Sequence, residues 1–88
     1  MKAPDALAQV ASILRERGEC YGSVRLNMAD TAARMSRTLG MTVTPQLVCL
    51  LMIDLKLARL RHSSGHLDSM MDIAGYAGLM VELQTSED

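Results

Sequence analysis

The segment HLDSMMDIAGYAGLM, residues 66–80, carries three polar side chains through an apolar stretch. Asp68, Asp72 and Tyr76 recur every four positions, a spacing that puts them on one face of an α-helix. Met70, Met71, Ile73, Ala74, Ala77 and Met80 fill the rest. Such a stripe has three readings: solvated surface, a metal site built on two carboxylates, or one wall of a ligand pocket. A basic pair, Lys56 and Arg59, lies three positions apart in MIDLKLARL. Lys56 sits among apolar neighbours, so it needs either a partner or a stem that reaches water, and the same holds for Asp54. Only a short SSGH loop separates the two segments, so their helices are expected to be antiparallel neighbours whose basic and acidic pairs meet. As an exposed salt-bridge cluster this contributes about 0–1 kcal/mol. As a pocket, Lys56 and Arg59 take a phosphate, while Asp68 and Asp72 take a metal such as Mg²⁺ or a base edge.

Other chemistries have less support. His62 and His66 flank the loop with no cysteine or carboxylate at zinc-binding spacing. The chain contains no G-x-x-x-x-G-K-[ST], no G-x-S-x-G and no H-E-x-x-H. Ser23 and Ser69 read as helix caps. Cys20 and Cys49 are far apart, and Cys49 lies inside an apolar run, so both read as reduced, partly buried thiols. A net charge of −1 argues against affinity won by neutralising a nucleic-acid backbone. Only Arg34 and Arg37 favour a DNA-reading helix. MKAPDALAQV does not read as a signal peptide, and the apolar run LVCLLMI is far too short to span a membrane, so a cytoplasmic protein is expected.

The elements that must position these residues are all helical. Pro4 and Asp5 suit the start of a first helix, and Leu7, Val10, Ile13 and Leu14 form its apolar stripe. Tyr21–Gly22 reads as a break. A second helix covers SVRLNMADTAARMSRTLG, with Leu26, Met28, Ala29, Ala32, Met35 and Leu39 facing inward and Gly40 as its stop. Thr44 as N-cap and Pro45 as first residue open a third helix that runs to about His62. Its first half, Leu47 to Ile53, is hydrophobic all round, which implies burial on several sides or an oligomer interface. A fourth helix runs from about Asp68 to Gln84, capped by Asp68 or Ser69, with a frayed tail over 85–88. Gly75 and Gly78 would each cost a helix ~1 kcal/mol against alanine, but they admit a close neighbour. Four helices, short loops and no strand pattern predict a single all-α domain over 1–88: a small, up-and-down four-helix bundle. A chain this short buries only a little over ~60% of its unfolded surface, so 49% hydrophobic residues without Phe or Trp also predict an oligomer, a dimer or a multiple of one, through helices three and four.

The chain also resembles a family of short phage and prophage proteins of unassigned function. The shared pattern is R-x-x-x-Y-G, then Asn, then T-P-x-x-V, M-I-x-x-K-x-A-R, a loop with His, and D-S-x-x-D-I-A-G-Y-A. Here it falls on Arg17, Tyr21, Gly22, Asn27, Thr44, Pro45, Val48, Met52, Ile53, Lys56, Ala58, Arg59, His66, Asp68, Ser69, Asp72 to Ala77. Such proteins are similar to MazG-type, all-helical nucleotide pyrophosphohydrolases, which hold Mg²⁺ with E-E-x-x-E and E-x-x-D on two helices. The resemblance implies an oligomeric helical bundle that handles a nucleotide. This chain departs from the hydrolase pattern: its third helix offers only Asp54, and its fourth D-x-x-x-D. The expected function is therefore binding of a nucleotide or related phosphorylated molecule without turnover, suited to sequestering a signalling nucleotide in a host cytoplasm. Lys56, Arg59, Asp68, Asp72 and Tyr76 would form the pocket, with Tyr21 and Asn27 contributing. The alternatives are Mg²⁺-dependent pyrophosphate release and a helical adaptor that docks on a host protein.

Overall fold

Each helix begins and ends where local chemistry dictates. In a computed structural model, which describes residues 1–85, the order is α1 (Ala3–Tyr21), α2 (Val24–Leu39), α3 (Pro45–His62) and α4 (Leu67–Thr85). Of the tail expected over 85–88, Thr85 instead closes α4, its hydroxyl donating to the Val81 carbonyl at 2.7 Å, and 86–88 lie outside the described residues. Ser23 and Thr44 cap α2 and α3 by accepting from the backbone N–H groups of Leu26 and Leu47. Gly22 and Gly40 stand at φ 78° and 70°, where a side chain would be strained, and they release the chain from α1 and α2. α4 starts a residue earlier than expected, and its cap is neither Asp68 nor Ser69. His66 Nδ1 accepts from the backbone N–H of Ser69 at 3.2 Å, and the buried Ser69 hydroxyl lies 2.7 Å from the same nitrogen. An imidazole so placed does the work of an N-cap carboxylate.

The α3–α4 hairpin is the spine. α1 packs on α4, α2 packs on α3, and α1 and α3 do not touch. The main core lies between α2 and α3: Ala32, Val43 and Val48 are buried, with Met28, Met35 and Met52 packed around them. Ser36 secures the intervening loop, its hydroxyl donating to the Ala32 carbonyl at 2.7 Å and accepting from Val43 N–H at 2.8 Å. Between α1 and α4, Val10 and Leu14 lie over Gly75, and Leu14 reaches Gly78. The small residues of α4 thus receive α1 side chains.

The bundle is open on the α1–α2 side. Its radius of gyration is 13.8 Å, against about 12 Å for a tightly packed domain of this length. The inward face expected for α2 is corrected accordingly: Met28, Ala32 and Met35 are covered, but Leu26, Ala29 and Leu39 are exposed. A stripe three side chains wide suffices for one neighbour, and α1 is too far away to cover the rest. Of the two free cysteines, Cys20 is exposed, while Cys49 is fully buried and its thiol pKa is pushed up by desolvation.

Candidate functional site

The polar centre of the molecule is Asp72. Its Oδ2 lies 3.0 Å from Lys56 Nζ on α3, and its Oδ1 lies 3.9 Å from Arg17 Nη2 on α1. One carboxylate therefore links α4 to two helices that do not touch each other. The lysine contact is sheltered, with 12% of the Lys56 side chain and 24% of the Asp72 side chain exposed. The arginine contact is longer, and 53% of the Arg17 side chain remains exposed. Lys56 thus neutralises Asp72 and leaves the Arg17 guanidinium with donors to spare.

Two grooves run on either side of Arg17 and Tyr21, which sit one helical turn apart on α1. The first, of about 390 Å³, lies between α1, the start of α2 and α4. Arg17, Tyr21, Asn27 and Tyr76 supply its polar groups, Leu14, Met28 and Leu79 part of its apolar wall. Arg17 is the one charged side chain among its described lining. The second, of about 450 Å³, lies between α1 and the start of α4 and is acidic, with Glu16, Asp68 and Asp72 beside Arg17.

The expected Asp68–Asp72–Tyr76 stripe is thus divided. Asp68 faces the acidic groove, Tyr76 faces the other, and Asp72 is held beneath Arg17. Tyr21 and Asn27 do join Tyr76. Lys56 meets the acidic pair as expected, but through Asp72 alone. Arg59 does not. It lies at the α3–α4 turn in a separate concavity with Leu55, His62 and His66, and it makes no ion pair among the described residues. Three residues along a helix leave a net offset of about 60° and a rise of about 4.5 Å, so Arg59 sits a turn nearer the α3–α4 loop than Lys56 and out of reach of Asp72. The residue that sequence reasoning passed over is Arg17. Its signal was present in R-x-x-x-Y-G, whose i, i+4 spacing puts Arg17 and Tyr21 on one face of α1.

The carboxylate cluster of the hydrolase pattern is not assembled among the described residues. No group of three or more His, Cys, Asp or Glu side chains among the described residues could hold a metal. Asp72 is paired with Lys56, and the longer Arg17 contact leaves that guanidinium available.

The family model for the domain of unknown function DUF6378 matches residues 5–84. The chain belongs to this family. It is 36% identical over 74 residues to the Gene 55 protein of Mycobacterium phage L5, covering 83% of this chain and 47% of that protein. It is 41% identical over 63 residues to the Gene 55 protein of Mycobacterium phage D29, covering 72% of this chain and 42% of that one. The chain therefore spans about half the length of these phage relatives. No solved structure matches it. No helix among the described residues is long and apolar enough to cross a membrane.

Proposed function

We propose that this protein binds a nucleotide or a closely related phosphorylated small molecule in the groove between α1, the start of α2 and α4, and holds it without turnover. The observation that carries this is the lining of the groove: one guanidinium, two phenols and one carboxamide over an apolar wall. A guanidinium suits a phosphate by bidentate hydrogen bonding. Tyrosine rings suit a planar base, and a carboxamide both donates to and accepts from a base edge. The volume, about 390 Å³, lies within the range of about 300–1,000 Å³ common to small-molecule sites. The phosphate contact thereby moves from Lys56 and Arg59 to Arg17, because Lys56 is committed to Asp72 and Arg59 lies elsewhere.

Binding without turnover is supported by the departure from the hydrolase pattern, since the described residues gather no cluster of three or more metal-ligating side chains. It also suits a relative of phage proteins that withdraws a signalling nucleotide from use in the host cytoplasm. Thermal-shift screening with nucleotides, with and without Mg²⁺, tests the reading. Stabilisation is expected from phosphorylated compounds and not from the matching nucleosides, with no pyrophosphate released. Loss of one charge-assisted bond of about 1.5–3 kcal/mol in Arg17→Ala weakens binding roughly 10- to 100-fold. Arg59→Ala binds like wild type. An Arg59→Ala variant that loses binding while Arg17→Ala keeps it would place the site at the α3–α4 turn instead.

A further inference from the structure

The outward face of α3 has no cover. Leu47, Leu50, Leu51 and Leu57 are 40%, 44%, 41% and 50% exposed, although α3 forms half of the α3–α4 spine. Helical geometry gathers them with exposed Asp54, Ala58 and Arg61 on the side opposite Val48, Cys49 and Met52. The positions 47, 50, 54, 57 and 61 repeat with the 3-4 spacing of a helix–helix seam. The chain as a whole also leaves more surface open than a closed monomer would. The chain exposes 6336 Å², about a quarter more than the roughly 5,100 Å² expected of a folded monomer of this mass.

We propose that this face is covered by a second copy of the chain, packed antiparallel through α3 about a two-fold axis, with each Arg61 reaching the partner's Asp54. The charges select this occupant. The seam carries one acid and one base, seven positions apart, so an antiparallel copy sets opposite charges against each other at both ends of the contact. A parallel copy sets like against like. The arginine side chain leans toward its own N-terminus, which in the antiparallel pair is toward the partner's Asp54, and its stem covers the partner's Leu50. The ligand groove lies across α1, α2 and α4, so the interface leaves it open.

Sedimentation equilibrium of the full chain at about 1–50 μM, with far-UV circular dichroism to verify helix content, tests the proposal. Wild type is expected at twice 9.6 kDa. Asp54→Arg and Arg61→Asp should each raise the dissociation constant at least tenfold. An equimolar mixture of the two should recover the dimer, because each arginine of one then meets an aspartate of the other. Leu50→Glu should be monomeric and still helical. A wild-type species of 9.6 kDa throughout this range overturns the proposal and leaves the face to a different protein. Single charge variants as dimeric as wild type overturn the antiparallel seam. A mixture that stays monomeric does the same.

Discussion

Replacing Gly75 by alanine should stabilise the protein, and replacing it by leucine should destabilise it. Gly75 is buried in α4 beneath α1. A Cβ added there would lie 3.8 Å from both Leu14 Cδ2 and Val10 Cγ1, an ordinary van der Waals separation. Alanine therefore fits without movement and removes the helix cost of glycine, about 1 kcal/mol. Leucine recovers a similar propensity but adds three more heavy atoms where Val10 and Leu14 already sit. Overpacking of this kind costs about 1–3 kcal/mol, so leucine should fall below alanine by that amount and at or below wild type. Urea denaturation at fixed protein concentration measures the order through the midpoints, provided the slope is unchanged. Alanine below wild type, or leucine as stable as alanine, would mean that α1 does not rest on Gly75.

Two more predictions rest on side-chain burial. Lys56→Met and Asp72→Asn should each cost about 1–3 kcal/mol, because each leaves a sheltered partner unpaired, and the double variant should cost less than their sum; additive losses in a denaturation cycle would show that the pair contributes nothing. In the folded protein one thiol per chain, Cys20, should react with iodoacetamide at neutral pH. Cys49 should react only in denaturant, since burial both blocks it and disfavours its thiolate, and fast labelling of both by mass spectrometry would contradict the core.

The helices were legible because their signals are local. Thr44–Pro45, Gly40 and Tyr21–Gly22 mark boundaries through backbone chemistry that needs no tertiary partner. The meeting of Lys56 with Asp72 was legible too, since a short loop forces α3 and α4 together. What failed depended on arrangements the sequence does not state. Leu26 and Leu39 look like core residues, and only the sparse packing of α1 on α2 leaves them exposed. His66 as a helix cap could not be separated from an ordinary loop histidine. Arg17 stood only in the R-x-x-x-Y-G pattern, with no role until α4 brought Asp72 beneath it and Tyr76 beside it. Arg59 seemed to share a stripe with Lys56, but α4 is a single neighbour and covers only one of them.

Native mass spectrometry of the protein purified gently from phage-infected cells tests the proposed groove most directly. Wild type should retain an adduct whose fragments include a phosphate-containing ion, and Arg17→Ala, folded and of the same oligomeric state, should carry none. Wild type without any adduct, or an adduct kept undiminished by Arg17→Ala, would contradict ligand binding between α1, α2 and α4.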